Sequence, residues 1–453
     1  MKVTIINKSD STGGAAVVSY RLMEALRNEG VDARMLVGEK LTDSPYVKLA
    51  ASPSLIKRKF LKERLKIFLG NGMNRSTLFK IDTGDIGLAL WKHPLVKDAD
   101  AIILGWINQG ILSLNGIKKI RALGKPIIWA MHDLWCMTGI CHHPYDCNHY
   151  QEECGDCPLL GKKRSKKDLS YRTWKRKNKL YGLKSIDIDR NKKNSWSEQH
   201  NKNKRPVRNE KASITEEGIK FVAVSNWLAL KAKESSLLSN KEITVIPNPV
   251  PSEYPQSPRP LEIVGERIRI LMGAARLDDP IKGFDIVIKM TEILKKDYPA
   301  LSEKLELVTF GNIKDINLLK RIKINNSHKG LLRDKRRIRK LYETSHILLS
   351  ASLWETLPTT LVEAQLYGCI PVSFNRGGQS DIVDHLSSGY LAQWNADPEI
   401  AARRLAEGIA WAAMLMHTTR YPEIQERMWR SAVSRFRASD IAKKYLKLMQ
   451  NDK

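Results

Sequence analysis

Short apolar runs rich in β-branched residues alternate with helix-length stretches along most of this chain. The first run, residues 3–7, is followed by the Gly13-Gly14 turn, and residues 15–27 then space their apolar side chains as one face of a helix. Residues 31–37 return to the strand pattern. Strand, glycine turn, helix and strand in this order predict a βαβ unit, so the fold is expected to contain a parallel sheet.

The alternation falls into two series, which are separated by a proline-rich joint at residues 247–260. It restarts at residues 268–273 and continues to residues 371–374. Because 453 residues are too many for one ordinary core, two domains are expected. The sequence therefore predicts an α/β fold of two Rossmann-like domains, whose parallel sheets face each other across a cleft. Ligands of such sheets bind beyond the carboxyl ends of the strands.

The expected domain plan has three segments. Residues 1–247 form an N-terminal domain, residues 248–420 form a C-terminal domain, and residues 421–453 form a helical segment that packs back on the first domain. The N-terminal domain carries a cysteine-rich loop at 136–158 and a polar insert at about 184–217. The insert has too few apolar residues to offset its own ordering entropy, so we expect it to form no core. A partner-binding segment is the alternative.

The charge of the chain is strongly basic, with 76 Lys and Arg against 49 Asp and Glu, a net charge of +27. This excess favours polyanionic partners, which include nucleic acid, an anionic membrane face and phosphorylated substrates. A solvated basic surface without a partner is the alternative. No apolar run reaches the roughly eighteen residues of a membrane span, and the first residues lack the pattern of a secretory signal. We therefore expect a cytoplasmic protein.

Two carboxylates flank a loop-to-helix junction in the second series. Glu355 and Glu363 are eight residues apart, and Thr359 or Thr360 is expected to cap the helix that begins between them. A helix N-terminus binds anions, and carboxylates beside it are suited to sugar hydroxyls. The alternative interpretation is a capped helix with two surface acids.

Two cations follow the first strand of the second series. Arg276 and Lys282 lie in ARLDDPIKG, directly after residues 268–273, and so at the carboxyl end of that strand. A pair of cations at this position is suited to a diphosphate group. Two solvated loop charges are the alternative.

These motifs together resemble the retaining glycosyltransferases of family 4, which have the GT-B fold. The resemblance spans nearly the whole chain in order, and it is carried by TGGAAVVSYRL, HDLW, SNWL, VIPNPV, AARLDDPIKGFD, SASLWETLPTTLVEA and the Gly377-Gly378 turn. It implies transfer of a sugar from a nucleotide-diphosphate donor to a glycan or polyprenyl-linked acceptor, with retention of configuration. Synthesis of capsule, exopolysaccharide or lipopolysaccharide is the pathway that the resemblance suggests.

The resemblance also implies roles for the charged residues. Arg276 and Lys282 would hold the donor diphosphate, Glu355 would lie near the donor sugar, and Glu363 would lie near the ribose. The family favours front-face displacement, in which the departing phosphate helps to deprotonate the incoming hydroxyl. Because the two cations stabilise the leaving group, catalysis is expected to require no divalent metal and no other cofactor.

Further donor contacts are implied for uncharged residues. The backbone of Leu357 and Pro358 would lie along the phosphates, although proline offers only a carbonyl there. Gly13 and Gly14 would let the N-terminal loop approach the donor from the opposite wall. His132 ends a strand of the first series, where the family places a histidine facing the donor sugar. A histidine that serves only packing is the alternative for this position.

Five of the six cysteines lie in the cysteine-rich loop. Cys141, Cys147, Cys154 and Cys157 are candidates for a structural zinc site, because four thiolates suit tetrahedral zinc and Cys154-x2-Cys157 has the spacing of a half-site. Free buried thiols and disulfides are the alternatives. Cys136 and Cys369 are expected to be isolated core residues.

A basic run follows this loop, as KKRSKK and then YRTWKRKNK, with two aromatic residues among its cations. Docking on an anionic membrane, a solvated helix face and nucleic-acid binding all agree with this composition. The hypothesis that competes with a glycosyltransferase is therefore a zinc-stabilised basic protein that binds nucleic acid, although the resemblance makes nucleic acid an unlikely partner. A sugar-binding scaffold without catalytic activity is a third reading.

Overall fold

A computed structural model of the protein describes residues 1–182, 218–258 and 267–450. The polar insert at about 184–217 and the last part of the proline-rich joint lie outside the described residues. Within them, no helix is both long enough and apolar enough to cross a lipid bilayer.

A seven-stranded sheet forms the centre of the first half. Its strands are β1 (Lys2–Ser9), β2 (Asp32–Glu39), β3 (Val47–Leu49), β4 (Ala101–Leu104), β5 (Ile127–Met131), β6 (Ile219–Ala223) and β7 (Ile243–Val245). All neighbouring pairs are parallel, in the order β3-β2-β1-β4-β5-β6-β7. Ile5 of β1 pairs with Met35 and with Ile103, and all three are buried. The apolar runs thus form strands because helices cover both faces of the sheet.

The helices of the first half follow the strands in the βαβ manner. They are α1 (Gly14–Asn28), α2 (Pro53–Gly70), α3 (Pro94–Asp98), α4 (Leu114–Arg121), α5 (Leu169–Tyr181) and α6 (Asn226–Glu234). α1 directly follows β1, and its buried face includes Val18, Leu22 and Leu26 at helical spacing. Gly13 precedes it with φ +87°, a conformation that side chains rarely adopt.

A six-stranded parallel sheet forms the centre of the second half, in the order β10-β9-β8-β11-β12-β13. Its strands are β8 (Ile268–Arg276), β9 (Leu305–Asn312), β10 (Asn325–His328), β11 (Ile347–Ser350), β12 (Ile370–Asn375) and β13 (Tyr390–Gln393). The helices are α7 (Phe284–Asp297), α8 (Pro299–Ser302), α9 (Lys335–Glu343), α10 (Thr359–Leu366), α11 (Pro398–Leu415), α12 (Arg420–Phe436) and α13 (Ala438–Gln450). The predicted fold of two Rossmann-like domains with parallel sheets is confirmed.

The last helices lead the chain from the second half back to the first. α11 packs on α7, α12 packs on α10, and α13 packs on α1. Tyr445 and Met449 of α13 are buried in the same apolar cluster as Leu22 and Leu26 of α1. The C-terminal helix therefore completes the core of the N-terminal half.

Polar contacts join the two halves beside the cleft. Both carboxylate oxygens of Asp381 accept hydrogen bonds at the start of α6: Oδ1 from the Asn226 backbone N–H at 2.8 Å, and Oδ2 from the Trp227 backbone N–H at 3.2 Å. The Thr356 hydroxyl donates to the His132 carbonyl oxygen at 3.2 Å. These contacts connect the end of β5 and the beginning of α6 to loops of the second half.

The differences between the structure and the expected elements include α2, β10 and the start of α10. α2 and β10 have no counterpart in the sequence prediction, because α2 places apolar residues on two faces and β10 is polar. The helix after Glu355 begins with Pro358 at its N-cap and has no side-chain cap, so the prediction of a threonine cap is wrong. Proline preorganises the backbone for a helix start without donating an N–H group.

Candidate active site

A cavity of about 390 Å³ lies between the two halves. The first half contributes Gly14, His132 and His143, the joint contributes Asn248, and the second half contributes the end of β8 and the 348–360 segment. The cavity lies beyond the carboxyl ends of β1, β5, β8 and β11, where ligands of parallel sheets bind. Among the predicted site residues, the ones that line it are Gly14, His132, Lys282, Glu355, Leu357 and Pro358.

The N-terminus of α10 forms one wall of the cavity. Leu357, Pro358, Thr359 and Thr360 all line it, and α10 begins at Thr359. The first turn of a helix leaves N–H groups without partners inside the helix, and the helix dipole favours negative charge there. This wall is therefore suited to an anionic group. Pro358 has no backbone N–H to donate to such a group, so the N–H groups of the following residues would supply the hydrogen bonds.

Lys282 and Glu355 form an ion pair in the cavity. The Lys282 ammonium donates a hydrogen bond to Glu355 Oε1 at 2.6 Å, and both side chains are largely buried. Lys282 is held by a short helical turn that ends at Gly283, whose φ is +66°. A Cβ at Gly283 would lie 2.3 Å from the Ala351 carbonyl oxygen, so only glycine allows this close approach of the two loops.

Arg276 contacts two acids of its own loop. Its guanidinium lies 3.4 Å from Asp278 Oδ1 and 3.3 Å from Asp279 Oδ2, both on its own loop. Among the described residues, Arg276 stands outside the lining of the cavity. Lys282 therefore lines the cavity while Arg276 does not, and the phosphate-binding role of both cations stays a prediction.

Glu363 and Gly13 also stand outside the lining, as far as the described residues define it. Glu363 is buried on α10 and accepts a hydrogen bond from the Arg21 guanidinium of α1 at 2.7 Å. The predicted ribose ligand is therefore the second-half partner of an ion pair between the halves. Sequence reasoning missed Arg21, although it lies at helical spacing from Gly14 in the quoted TGGAAVVSYRL motif.

Burial lowers the pKa of His132 to about 4, although the neighbouring Asp133 acts in the opposite direction. The imidazole is therefore neutral near pH 7 and has one N–H donor and one acceptor nitrogen for a ligand in the cavity. His132 is half-buried at the end of β5, and its backbone carbonyl is held by Thr356.

Asp133, the next residue, binds side chains and backbone of the neighbouring loops. Asp133 shares a 2.6 Å hydrogen bond with His142 Nδ1 and accepts one from the Trp106 indole N–H at 2.7 Å. Burial opposes ionisation, but the neighbouring His142 and the Trp135 backbone N–H lower the pKa of Asp133 to about 2. The ionised carboxylate fixes the loop that carries His143.

His143 lines the cavity and was not predicted as a site residue. Its Nδ1 atom is buried without a hydrogen-bond partner, and burial lowers the pKa of the imidazole. Its position in the loop after β5 was the available signal, since that loop follows the carboxyl end of a strand.

The cysteines of the loop surround a small second cavity, of about 20 Å³. Its lining includes the four predicted zinc ligands, Cys141, Cys147, Cys154 and Cys157. Burial raises the pKa of Cys141, Cys154 and Cys157 to about 12, so these thiols are protonated in this arrangement. In residues 1–182, 218–258 and 267–450, no group of three or more His, Cys, Asp or Glu side chains is placed to hold a metal ion. The zinc site stays a prediction.

All six cysteines are free thiols. Cys136 and Cys369 are buried, as predicted. Cys369 lies far along the chain from the loop, and its thiol donates to the Ser345 carbonyl oxygen at 3.1 Å. Neither residue lines the small cavity, according to the part of the chain that is described.

The basic run after the loop includes α5, which is only partly a solvated face. Lys177 is fully buried, with its ammonium 3.6 Å from the centre of the Trp135 ring and 3.0 Å from the Thr138 carbonyl oxygen. Burial lowers the pKa of Lys177 to about 8. This lysine therefore holds the 135–138 segment in place through buried contacts, and its charge is not available to a polyanion.

Residues 256–412 match the family model described as "Glycosyl transferases group 1". An uncharacterized glycosyltransferase of Haemophilus influenzae is 34% identical over 119 residues, which are 25% of this chain and 32% of that protein. A glycogen synthase of Xanthomonas axonopodis is 33% identical over 114 residues, or 25% of this chain and 22% of the enzyme. The similarity thus spans a third or less of these curated relatives.

Solved structures are similar over the whole chain. A glycosyltransferase of Rickettsia africae has a TM-score of 0.57 at 14% identity and covers 99% of this chain and 98% of its own. HepE of Anabaena, solved with UDP and glucose, has a TM-score of 0.55 at 13% identity, with full coverage of both chains. WaaG, a glycosyltransferase involved in lipopolysaccharide biosynthesis, has a TM-score of 0.57 at 12% identity, with 99% of both chains covered. The two-sheet architecture is that of GT-B glycosyltransferase structures.

Proposed function

We propose that the chain is a glycosyltransferase that takes its sugar from a nucleotide-diphosphate donor and binds that donor in the cavity between the halves. The observation that carries this proposal is the meeting of Lys282, Glu355, His132 and the N-terminus of α10 in one cavity. A cation and a helix N-terminus match a diphosphate, and a carboxylate and a neutral imidazole match sugar hydroxyls. The group 1 match of residues 256–412 covers the second-half part of this set.

We propose transfer with retention of configuration. The acceptor hydroxyl oxygen forms a bond to the anomeric carbon on the face from which the diphosphate leaves with its bonding electron pair. The hydroxyl proton passes to a departing diphosphate oxygen. Lys282 and the first N–H groups of α10 stabilise the charge on that diphosphate, so the protein contributes positioning and electrostatic stabilisation.

The ion pair with Glu355 has a specific use in this scheme. An ammonium group has three N–H donors, and Glu355 Oε1 accepts one of them at 2.6 Å. Lys282 is therefore held in place by one bond and has donors left for a diphosphate. The remaining oxygen of Glu355 is an acceptor for a sugar hydroxyl, and His132 supplies a neutral group on the opposite wall.

The donor and acceptor classes are part of the proposal. UDP-sugars are the first donors to test, because HepE of Anabaena was solved with UDP and glucose. A glycan or a polyprenyl-linked glycan is the proposed acceptor, in assembly of a surface polysaccharide. The naming of WaaG for lipopolysaccharide biosynthesis supports that choice.

The experiment compares Lys282→Ala with Arg276→Ala. Nucleotide sugars are first screened by thermal shift, since a true donor stabilises the folded chain by mass action. Calorimetry with the best donor then measures the affinity of each variant. We expect Lys282→Ala to weaken binding by at least about tenfold, because a charge-assisted bond to phosphate is lost. Arg276→Ala should have the smaller effect, because Arg276 pairs with Asp278 and Asp279 on its own loop.

Lys289→Ala is the matched control, because Lys289 also pairs with a glutamate but lies on exposed α7 surface. It should bind the donor as the unaltered chain does. If Lys282→Ala bound the donor with the affinity of the unaltered chain, the assignment of the donor diphosphate to this cavity would be wrong. Stabilisation by no nucleotide sugar at all would contradict the donor class itself.

A further inference from the structure

The outward face of α2 carries leucines where a surface helix normally carries polar residues. Leu61, Leu65 and Leu69 follow one another at intervals of four, so they form one stripe along the helix. Their relative exposures are 53%, 58% and 59%. Isolated exposed leucines need no explanation, but a contiguous apolar stripe marks an interaction surface.

Two further exposed apolar residues, Met73 and Phe79, follow the helix in the sequence. Met73 follows α2 directly, with its backbone N–H bonded to the Phe68 carbonyl oxygen at 2.8 Å, and Phe79 stacks on Phe60 with ring centres 6.5 Å apart. Both Met73 and Phe79 are more than half exposed. We call this surface the leucine face, and its members are Leu61, Leu65, Leu69, Met73 and Phe79.

The side of α2 opposite the leucines attaches the helix to the first half. The opposite side of α2 is buried through Ile56 and Ile67, and Arg64 donates a 2.6 Å hydrogen bond to the Leu78 carbonyl oxygen. These contacts fix the rotation of α2 about its axis. The leucines therefore remain outward while the helix stays docked on the first half.

Cations border the leucine face. Lys57 and Arg58 lie in the turns before Leu61, and Lys62 and Lys66 each follow a leucine by one residue, which is about 100° around the helix. All four are exposed. Lys66 pairs with Asp85 at 2.8 Å, whereas the other three make no ion pair within the described ranges.

We propose that the leucine face docks the protein on an anionic lipid surface. An apolar stripe bordered by lysines and arginines is the pattern of a helix that lies in a membrane interface, where leucines enter the acyl boundary and cations contact phosphate headgroups. The net charge of +27 adds a long-range attraction to the same surface. This docking surface does not depend on the donor chemistry of the cavity.

A second copy of the chain fits this surface less well. Two identical patches meet across an isologous interface, so the cations that border one leucine face would lie near those of the other. Like charges brought together in this way oppose association. An anionic bilayer instead neutralises them while it covers the leucines.

A chain of side-chain contacts connects the leucine face to the rim of the cavity. Lys80, next to Phe79, has its ammonium 5.4 Å from the centre of the Tyr145 ring. Tyr145 in turn contacts Trp354, with ring centres 6.5 Å apart, and Trp354 lines the cavity. Docking by this face therefore brings the His143 loop and the rim of the cavity toward the membrane, where a lipid-linked acceptor would be held.

The first test measures sedimentation of the full chain with vesicles of phosphatidylcholine, alone or mixed with phosphatidylglycerol. We expect the mixed vesicles to bind the protein and Leu61→Gln/Leu65→Gln/Leu69→Gln to bind them at least about tenfold more weakly, because three interfacial leucines are lost. Leu230→Gln/Met414→Gln is the matched control, since these residues are 64% and 65% exposed elsewhere. Equal binding by the leucine variant and the unaltered chain, or no binding of the unaltered chain, would overturn the proposal.

The second test separates this surface from the basic run that follows the cysteine-rich loop. Lys57→Gln/Arg58→Gln/Lys62→Gln should weaken binding to the mixed vesicles by roughly fivefold per charge. Lys162→Gln/Lys163→Gln/Lys166→Gln removes the same charge from exposed positions of the basic run and should have a much smaller effect. An equal loss in both triple variants would show that net charge alone attracts the protein, and the assigned surface would be wrong.

The third measurement addresses self-association. Circular dichroism should show the same helix content in all variants, because every altered side chain is exposed. Sedimentation velocity should show the same oligomeric state for the unaltered chain and the leucine variant. A dimer that dissociates only in the leucine variant, together with a lack of vesicle binding, would assign the leucine face to a second copy instead.

Discussion

His143 lines the cavity, and its ring nitrogen Nδ1 is buried without a hydrogen-bond partner in the described protein. Polar atoms buried in this way cost free energy, and they are retained where a ligand supplies the missing bond. Burial lowers the pKa of His143, so the ring offers a neutral donor or acceptor near pH 7. We infer that Nδ1 contacts a hydroxyl of the bound donor or acceptor.

His143→Ala tests this inference. We expect kcat/KM to fall by about tenfold, because one hydrogen bond to substrate is lost, while the melting temperature stays within a few degrees. His149→Ala is the control, since His149 is an exposed histidine of the same loop. Unchanged kcat/KM for every acceptor tested would show that the nitrogen has no substrate partner.

Some of the predicted site residues line the cavity and others do not, a difference that the sequence leaves open because it does not fix the direction of their side chains. Sequence order places Arg276 and Lys282 at the end of the same strand, but only Lys282 lines the cavity. Arg276 turns toward two acids of its own loop, a competition that spacing does not resolve. Glu363 is one turn into α10, and its contact with Arg21 depends on how the halves meet.

At the scale of the element, α2 is the helix that the sequence could not predict. Ile56 and Ile67 point inward while the leucine face points outward, so no single apolar stripe is present in the sequence. α1 and β1 were predictable because their buried residues follow one period. A helix with apolar residues on both its buried and its exposed side does not show the period of a single apolar face. Its orientation is therefore fixed only by tertiary contacts.

The attachment of α2 contains a buried acid. Glu63 is 1% exposed, and burial together with the neighbouring Asp82 raises the pKa of Glu63 to about 9. The folded chain therefore holds a proton that the unfolded chain releases above its ordinary pKa near 4.5. Because the folded state binds more protons over this range, Glu63 makes stability fall as pH rises from about 5 to about 9.

Glu63→Gln removes this titration and keeps the shape of the side chain. We expect the free energy of unfolding of the variant to exceed that of the unaltered chain by at least about 1 kcal/mol at pH 8, with the difference shrinking toward pH 5. Urea unfolding at several pH values measures it. Glu292→Gln, at an exposed site, should leave the pH dependence of the unfolding free energy unchanged. If the unfolding free energy of Glu63→Gln changed with pH as steeply as that of the unaltered chain, the buried-acid assignment would be refuted.

At the scale of the whole molecule, the order of elements along the chain differs from their grouping in space. α13 comes after the entire second half, yet its Tyr445 is buried against α1 of the first half. The alternation of strands and helices predicted the two sheets. The return of the chain was part of the expected domain plan, whereas the residues that make the contact could be identified only from the tertiary structure.

Tyr445→Ala tests how far the first half depends on α13. Removing a buried aromatic side chain should lower the free energy of unfolding by about 3–5 kcal/mol. Hydrogen exchange should accelerate in β1 and α1 and remain unchanged in β8 and α7. Lys444→Ala, at an exposed position of the same helix, should show neither effect. Faster exchange confined to the second half would contradict this assignment.

Asp381 has a consequence for how the two halves move. It accepts hydrogen bonds at the start of α6, so the end of a helix in one half is completed by a side chain of the other. Separation of the halves leaves these N–H groups without that acceptor, at a cost of about 0.5–2 kcal/mol, as when a helix cap is removed. A carboxylate that does not line the cavity thus helps to hold the halves together, so its substitution is expected to ease their separation while leaving the residues that line the cavity unaltered.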